Sequence, residues 1–292
     1  MQTSQENPTG YTAWRNAKLA AYPKSARDIR VRIADLAAPT EAERAEIIDR
    51  CNRCGMAIYE TAAANSGDEA RADLRRFAAS FGLGKIEDHR SADSDGIVAI
   101  EVTDQNTKRG FIPYTNRPLN WHTDGYYNGP DEAIRAMILH CVRPASAGGE
   151  NALLDPEIVY IRLYDHNPAF AAAMLHPEAM TIPESVEEDG RTRPTSTGPV
   201  FALDADGKLT TRYTARARNV VWRDDPDTRA AVAVLDQLLA KEQEPLIIKY
   251  TLAAGEGLIS NNVLHTRTGF ENAAGAERLL LRGRYGKRIC GT

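Results

Sequence analysis

The spacing of hydrophobic and polar positions predicts an opening series of alternating strands and helices. Residues 29–33, IRVRI, alternate apolar and charged side chains, which is typical of a half-buried strand. Thr40 and Glu43 then form a capping box that begins a helix, and Gly55 stands where that helix would end. A short apolar strand and a second capped helix, beginning after Ser66, complete this part of the chain.

Strands dominate the remainder of the pattern. Residues 133–142, AIRAMILHCV, are apolar over most of their length and predict a buried strand. The Asp-Pro pairs at 155–156 and 225–226 each predict the start of a helix, because aspartate caps a helix and proline suits its first position. Three further strands are expected in EPLIIKYTL, LISNNVLHTR and ERLLLRGRY. This order predicts an α+β fold that is mainly β.

The domain organisation predicted from this order is a single catalytic domain over residues 1–292. It carries an N-terminal extension of helices and strands over residues 1–100. Pro, Gly, Thr and Asp cluster at about 183–211, which indicates a lid-like insert.

Composition and charge limit the kinds of partner and the cellular location that we expect. The chain has 292 residues, 42% of them hydrophobic and 26% charged, with a formal net charge of −4. No global basic field favours nucleic acid, and no apolar run suits a membrane span or a secretory signal. We therefore expect a cytoplasmic protein that binds a small molecule, not nucleic acid or a membrane, and a homo-oligomer is compatible with this. The cysteines, including the C-x-x-C of Cys51 and Cys54, are expected to be reduced, mostly buried thiols.

Candidate chemistry begins at PLNWHTDGYYN, residues 118–128. On a strand, His122 and Asp124 would project to the same face. An imidazole and a carboxylate that converge are two of the three ligands of the 2-His-1-carboxylate set of non-haem Fe(II) oxygenases. The alternative is a surface strand with an incidental His–Asp hydrogen bond.

A second histidine would have to come from elsewhere in the chain. His265 is distinctive because, on one continuous strand, it would end a mostly apolar row that begins at Gly257, and such a row would shield a ligand from water. His140 is expected to be a core histidine. The remaining histidines are expected at the surface: His89, His166 and His176.

Arginines in RLLLRGRY suggest an anion-binding strand. Strand alternation places Arg278, Arg282 and Arg284 on one face. A buried guanidinium needs an anionic partner, and its fork suits a carboxylate. The alternative is an exposed edge strand whose arginines face water.

Taken together, YTNRPLNWHTDGYY, LHCVRPASAGGENALLD and NNVLHTRTGF…RLLLRGRY resemble the taurine dioxygenase family of Fe(II)/2-oxoglutarate-dependent oxygenases, in particular its gamma-butyrobetaine hydroxylase branch. The resemblance implies a double-stranded β-helix, a jelly-roll barrel with flanking helices. It implies that His122, Asp124 and His265 are the iron ligands and catalytic centre, and that Arg278 holds the distal carboxylate of 2-oxoglutarate. Many members bind this co-substrate with the threonine of Gly-Gly-x-Thr. Here the run is GGEN, and Asn151 offers an amide instead.

The implied reaction uses Fe(II), 2-oxoglutarate and O2, releases succinate and CO2, and hydroxylates the substrate, with desaturation or cleavage left open. The expected substrate is small and charged, either amino-acid-like or betaine-like. Asn120, Tyr126, Tyr127 and Arg282 are the predicted substrate-binding residues, Arg282 lying about 13 Å beyond Arg278 along one strand face. Six aromatic residues are candidates for a cage around a quaternary ammonium group: Tyr114, Trp121, Tyr126, Tyr127, Tyr213 and Trp222.

Two other classes of protein remain open. A metal-dependent hydrolase would use the same three ligands with zinc and an activated water, but would not need Arg278. A non-catalytic sensor would keep the fold to bind metal or 2-oxoglutarate. An intact ligand set argues against the sensor.

Overall fold

A computed structural model describes residues 8–62, 67–84, 86–87, 95–103, 112–186, 190, 192–216, 218, 220–240 and 244–292. The helices of this part are α1 Pro8–Ala21, α2 Glu41–Cys54, α3 Gly67–Ser80, α4 Pro156–His166, α5 Pro168–Met174 and α6 Pro226–Ala240. Its first strands are β1 Arg30–Ile33, β2 Met56–Thr61, β3 Val98–Ile100, β4 Leu119–His122, β5 Ala136–Arg143, β6 Ala147–Gly148, β7 Asn151–Leu154, β8 Met180–Ile182, β9 Ser185–Val186 and β10 Thr192–Arg193. The later strands are β11 Ser196–Gly198, β12 Phe201–Leu203, β13 Leu209–Thr211, β14 Val221–Trp222, β15 Ile248–Tyr250, β16 Glu256–Ser260, β17 Leu264–Arg267, β18 Phe270–Glu271 and β19 Leu279–Tyr285. None of the described helices is long and apolar enough to cross a membrane.

Local capping sets the helix ends as predicted. The hydroxyl of Thr40 accepts a hydrogen bond from the backbone of Glu43, whose carboxylate accepts one from the backbone of Thr40, and Gly55 ends α2 with a φ of 74°. Asp155 accepts a backbone hydrogen bond at 2.8 Å at the start of α4, and Asp225 accepts one at 2.9 Å at the start of α6. These ends satisfy backbone N–H groups that have no partner inside their helix.

Contacts along the backbone divide the chain into two compact units, and one of them comprises residues 23–119, 134–153 and 248–292. Its six-stranded sheet has the order β1-β2-β16-β5-β19-β3. The β1–β2 pair is parallel and the other pairs are antiparallel. Helices α2 and α3 pack against one face of this sheet, where Phe77 of α3 and Leu281 of β19 share a buried apolar cluster. This is the core of the unit.

A second sheet of this unit has the order β15-β7-β17-β4, and β4 enters it at Leu119. The predicted continuous strand from Gly257 to His265 is wrong. Asn262 adopts a left-handed φ of 54°, and its side-chain amide donates to the carbonyl of Ile134 at 2.8 Å. The chain is broken there, so β16 lies in the six-stranded sheet and β17, with His265, lies in the second.

Strand β19 is internal, because it pairs with β5 on one side and β3 on the other. Arg278, which precedes it, and Arg282 and Arg284 within it are 4–7% exposed. The exposed-edge alternative is therefore wrong. Leu281 and Tyr285 belong to the cluster under the helices, as strand alternation predicts.

The other unit comprises residues 1–22, 120–133 and 154–247. Helices α4, α5 and α6 pack together, and Lys18 of α1 forms an ion pair with Asp155 at 2.6 Å. The sequence about 183–211 contributes the hairpins β9–β10 and β12–β13 and the strand β11, which joins β8 and β14 in a three-stranded sheet. Its role as a lid stays a prediction.

The fold is thus mixed helix and strand, as predicted at the level of class. Helices take a share comparable to that of the strands, so the expected predominance of β structure is not seen in the described residues. The strands of this part form several open sheets and no closed barrel.

Candidate active site

The two ligand candidates near residue 120 occupy a strand end and the turn after it. Strand β4 ends at His122, and Asp124 lies in a turn that continues through Gly125, with a φ of 67°. The prediction that both residues lie on one strand is wrong, because the chain turns immediately after His122. Asp124 is nevertheless buried, with 5% of its surface exposed.

The residues between and beside these candidates fix the turn in place. The backbone N–H of Thr123 donates to the carbonyl of Tyr213 at 3.0 Å, and the N–H of Tyr213 donates to the Thr123 hydroxyl at 3.1 Å. The indole N–H of Trp121 donates to the carbonyl of Leu239 at 3.1 Å. Buried side chains at 121 and 123 therefore alternate with the ligand candidates and hold them in position.

His122 and His265 each direct Nδ1 at the backbone carbonyl two residues earlier in the sequence. The Nδ1 of His122 lies 2.8 Å from the carbonyl oxygen of Asn120, and the Nδ1 of His265 lies 2.9 Å from that of Val263. A carbonyl can only accept, so Nδ1 is the donor, and in the neutral ring Nε2 is then the nitrogen with a lone pair for a metal ion. Such a contact orients a metal-ligating histidine and fixes its tautomer.

His122, Asp124 and His265 each offer one ligand atom, and these atoms all lie within 4.8 Å of one another. Two imidazoles and one carboxylate match the 2-His-1-carboxylate set that suits Fe(II) and leaves coordination positions open. The donor chemistry therefore fits a non-haem iron ion.

The other histidines are accounted for differently. His140 is buried in the sheet, with Nδ1 at 3.1 Å from the hydroxyl of Tyr59, and burial lowers the pKa of His140 to about 4. It is the core histidine that the sequence predicts. His166 ends α4 and stacks on Phe170. His89, like the helix-start residue Ser66, lies outside the described residues.

Arg278 is a buried cation that lacks a carboxylate partner among the residues that the structure describes. It is 5% exposed, and its guanidinium carbon lies 4.9 Å from the centre of the Phe270 ring. Burial lowers its pKa, while Cys141 and Tyr250 have the opposite, smaller effect. A buried charge in this state is costly unless an anion accompanies it.

The two glycines of GGEN make room for this arrangement. Gly148 has a φ of 71°, and a Cβ there would lie 2.3 Å from the carbonyl oxygen of Gly269. Gly149 has a φ of 73°, and a Cβ there would lie 3.7 Å from Nε of Arg278. Both positions need glycine because of their left-handed backbone, and at Gly148 also because the backbones approach closely.

Asn151 has an unexpected neighbour. It is 8% exposed and pairs with Tyr250 across β7 and β15, so the two side chains share a face of the sheet. The Tyr250 hydroxyl is buried and has no hydrogen-bond partner in the described structure, and burial raises its pKa. Sequence reasoning missed Tyr250, because only the pairing register places it beside Asn151 and electrostatically close to Arg278.

The predicted substrate-binding residues differ in exposure and in their distance from the ligand candidates. The rings of Tyr126 and Tyr127 lie 5.2 Å apart, and that of Tyr126 lies 6.5 Å from the ring of His122. The side chain of Asn120 is exposed, and its carbonyl serves His122. Arg282 is buried in β19.

The other cage candidates are mostly packing residues. Tyr114, Trp121 and Tyr213 are 1–6% exposed. Trp222 is partly exposed and lies 6.3 Å from the ring of Tyr213. Of the six aromatic candidates, the structure keeps Tyr126 and Tyr127 beside a ligand candidate and partly exposed.

Comparison with known proteins adds to this geometry. The family model described as "Taurine catabolism dioxygenase TauD, TfdA family" matches residues 18–284. A uridine-5'-phosphate dioxygenase of Amycolatopsis sp. is 29% identical over 271 residues, which cover 87% of this chain and 91% of the relative. A protein of the same name from Streptomyces sp. is 30% identical over 243 residues, covering 78% and 84%.

Solved structures agree on the fold. The non-heme iron oxygenase OrfP, in complex with Fe, succinate and (3S)-hydroxy-L-Arg, has a TM-score of 0.63 at 16% identity, covering 86% of this chain and 81% of its own. An asparagine oxygenase in complex with Fe(II), 2S,3S-3-hydroxyasparagine and succinate has a TM-score of 0.59 at 12% identity, covering 88% and 93%.

The chain therefore belongs to the TauD/TfdA family of oxygenases. It is an Fe(II)/2-oxoglutarate-dependent dioxygenase that acts on a small substrate, with Fe(II) as cofactor and 2-oxoglutarate and O2 as co-substrates. This favours the dioxygenase over the hydrolase and the sensor that the sequence left open.

Proposed function

We propose that this dioxygenase oxidises a small anionic substrate, with a nucleoside 5'-monophosphate such as uridine 5'-phosphate as the first candidate. The substrate class is supported by the two relatives, both uridine-5'-phosphate dioxygenases, each of which matches more than three quarters of the chain. An anionic substrate also agrees with the charges of Arg193, Arg212 and Arg216, which lie in the unit that bears His122 and Asp124.

In this proposal His122, Asp124 and His265 hold the iron. The Nδ1 contacts orient both imidazoles and leave Nε2 as the atom that would bind the ion, and the buried turn around Thr123 fixes the carboxylate. When bound, Fe(II) with 2-oxoglutarate and O2 supplies the oxidising chemistry that converts the co-substrate to succinate and CO2 and hydroxylates the substrate.

Arg278 would bind the distal carboxylate of 2-oxoglutarate. Its burial and the absence of a described carboxylate partner support this role. Asn151 would donate from its amide to the same co-substrate, as the GGEN motif suggests, since it is buried on the strand that leads away from Gly149. A bidentate pair between the guanidinium and the carboxylate would compensate a positive charge that is buried away from solvent.

The double-stranded β-helix belongs to this proposal as well. The family and the solved neighbours support a jelly-roll arrangement, in which the six-stranded and four-stranded sheets would be its two halves. Placement in the gamma-butyrobetaine hydroxylase branch stays a prediction, as do a cytoplasmic location, the lack of nucleic-acid and membrane partners and a homo-oligomeric state.

The second candidate is the amino-acid-like or betaine-like substrate that the sequence predicts. The solved structure of OrfP with Fe and L-Arg supports it at the level of shared fold. Asn120, Tyr126, Tyr127 and Arg282 would then contact the substrate, with Arg282 holding its carboxylate.

The test is succinate release from 2-oxoglutarate with Fe(II) under air. Uridine 5'-phosphate, other nucleoside monophosphates, uridine, L-arginine, L-asparagine and gamma-butyrobetaine are compared at one concentration. We expect the nucleotide to stimulate succinate formation at least tenfold over the uncoupled rate, and uridine to do so far less. If only the amino acids or the betaine stimulated succinate formation, the substrate would be the amino-acid-like or betaine-like second candidate.

A further inference from the structure

Two arginines contact the tyrosines that follow the ligand turn, and a third follows the segment that pairs with the ligand strand. Arg212 donates from Nε to the carbonyl of Tyr126 at 2.7 Å, and the guanidinium carbon of Arg193 lies 5.7 Å from the centre of the Tyr127 ring. Arg216 follows in the segment that pairs with the ligand strand, where Thr214 forms an antiparallel bridge with His122. Arg216 lies two residues beyond Thr214 and is exposed.

Arg212 has a structural role within this cluster. Besides the bond to Tyr126, its Nη1 donates to the carbonyl of Met180 at 3.0 Å, and Nη2 donates to the carbonyl and hydroxyl of Ser196 at 2.8 and 3.1 Å. Every guanidinium nitrogen is thus occupied by a neutral acceptor. The donors are satisfied, but no carboxylate among the described residues neutralises the positive charge.

Arg193 still has donor capacity. Its Nη2 donates to the carbonyl of Pro183 at 3.1 Å, whereas its Nη1 is buried and has no hydrogen-bond partner in the described structure. A buried, unmet guanidinium donor costs free energy that a ligand acceptor would recover. Burial, and to a smaller extent the charge of Arg193, lowers the pKa of Arg212.

No carboxylate among the described residues forms an ion pair with Arg193, Arg212 or Arg216. Other arginines of the same unit do find acids: Arg162 pairs with Glu244 and Arg229 pairs with Asp224. Positive charge that no described carboxylate compensates, next to a proposed metal ligand, is expected to bind an anion.

We propose that Arg193 and Arg216, with Arg212 supplying fixed positive charge, bind the anionic group of the substrate above Tyr126 and Tyr127. This inference rests on the proposed function for the identity of the substrate, and the cluster assigns the residues that recognise it. The ligand class is a phosphate monoester or an anion of similar charge and acceptor number, since arginine forks suit phosphate oxygens. The tyrosines would place the organic part of the substrate next to His122, because the ring of Tyr126 already lies 6.5 Å from the ring of His122.

The experiment measures binding without turnover. Isothermal titration calorimetry is carried out anaerobically on protein loaded with Fe(II) and saturating 2-oxoglutarate, so that the co-substrate anion site is already filled. The titrants are uridine 5'-phosphate, uridine and inorganic phosphate. The proteins are the wild type, Arg193→Gln, Arg216→Gln and, as a matched control, Arg229→Gln, which removes an arginine charge on α6 in the same unit.

We expect each of Arg193→Gln and Arg216→Gln to weaken uridine 5'-phosphate at least tenfold and to leave uridine unchanged, while Arg229→Gln behaves as the wild type. Inorganic phosphate should follow the nucleotide, and added salt should weaken both in the wild type. Thermal unfolding checks the fold. Arg216 is exposed, so its substitution keeps the test valid even if Arg193→Gln is unstable.

The outcomes separate this inference from the proposed function. If the nucleotide is not oxidised but wild-type protein binds phosphate and the arginine variants do not, the anion site stands and the substrate is wrong. If the nucleotide is oxidised while all variants bind it equally, the substrate stands and the anion site is overturned. Wild-type protein that binds neither phosphate nor the nucleotide overturns the anion site as well.

Discussion

Arg212 and Arg278 are both largely buried arginines, and neither has a carboxylate partner among the described residues, yet their surroundings differ. Arg212 spends every guanidinium nitrogen on backbone carbonyls and a hydroxyl, and so ties the turn at Tyr126 to the strands around Met180 and Ser196. The guanidinium of Arg278 has no hydrogen bond in the described structure and lies against the ring of Phe270. Burial alone therefore does not identify a binding arginine. The occupancy of its donors does.

The same contrast holds for the two regions around these residues. In the ligand turn, Trp121 and Thr123 are hydrogen-bonded to neighbouring segments, and their satisfied bonds position His122 and Asp124. Around Arg278, the Tyr250 hydroxyl also lacks a partner in the described structure. The turn at residues 121–123 is thus fixed by hydrogen bonds within the protein, whereas Arg278 and Tyr250 have donor groups that await a ligand.

The largest expected effect follows from removing a proposed metal ligand. His122→Ala, Asp124→Ala and His265→Ala should each abolish succinate formation, because two ligands do not hold Fe(II) with the required open positions. The fold should persist, since Trp121 and Thr123 fix the turn independently. Activity and anaerobic Fe(II) binding are measured together with circular dichroism.

The control for this prediction is His166→Ala, which changes a histidine at the end of α4. It should bind Fe(II) and turn over as the wild type does. Full turnover in any one of the three ligand variants would remove that residue from the metal site.

The direct test of the comparison is to substitute both arginines. Arg278→Gln should raise the KM for 2-oxoglutarate roughly tenfold to a thousandfold, because truncating one partner of a buried charged pair costs about 2–4 kcal/mol. Arg212→Gln should instead lower the free energy of unfolding by about 1–3 kcal/mol, because it leaves buried carbonyls unsatisfied. Steady-state kinetics with varied 2-oxoglutarate and urea denaturation of both variants measure the two effects.

If Arg212→Gln changed the KM for 2-oxoglutarate and Arg278→Gln changed only stability, donor occupancy would be a poor guide to function here. If Arg282→Gln had the effect expected of Arg278→Gln, the anchor would lie four residues further along the chain.

Local sequence was sufficient for features that depend on local interactions. The caps at Thr40, Asp155 and Asp225 and the glycine at the end of α2 were all predicted, because the groups that satisfy each helix end lie within a few residues of it. The buried arginines of β19 were expected to face the interior for a similarly simple reason, strand alternation.

Features that depend on distant contacts were predicted incorrectly or missed. Asp124 lies in a turn rather than on β4, and Asn262 breaks the strand before His265 because a left-handed backbone is stabilised by the distant carbonyl of Ile134. Tyr250 was missed since its position beside Asn151 depends on the register between β7 and β15. Such a register is set by the whole sheet, not by either strand alone.

A smaller effect is expected from the unpartnered hydroxyl beside Arg278. Tyr250→Phe should weaken 2-oxoglutarate binding about threefold to tenfold, if the hydroxyl donates to the co-substrate with the strength of one neutral hydrogen bond. The fold should be unchanged or slightly more stable, because no described protein partner loses a bond. Anaerobic calorimetry with Fe(II) present gives the dissociation constant without turnover.

Tyr285→Phe is the matched control, since its hydroxyl is likewise buried without a described partner but lies in the cluster under the helices. It should leave 2-oxoglutarate binding unchanged. Equal dissociation constants for wild type and Tyr250→Phe would show that the Tyr250 hydroxyl does not meet the co-substrate.

The smallest effect on activity, and a clear one on stability, is expected at His140, a buried group whose polar atom is satisfied by Tyr59. Burial lowers the pKa of His140 to about 4 in the folded protein, and an exposed histidine has a pKa of about 6.5. The unfolded chain therefore takes up a proton first, so this contribution to stability is complete above about pH 6.5 and is lost as the pH falls towards 4. The loss amounts to about 3 kcal/mol.

Urea denaturation of the metal-free protein between about pH 4.5 and 7 should show a shallower pH dependence in His140→Gln, because glutamine cannot take up that proton. The KM for 2-oxoglutarate should be unchanged. An identical pH dependence in the variant would mean that His140 is not the group that titrates, and a raised KM would mean that a satisfied buried group can also serve the co-substrate site.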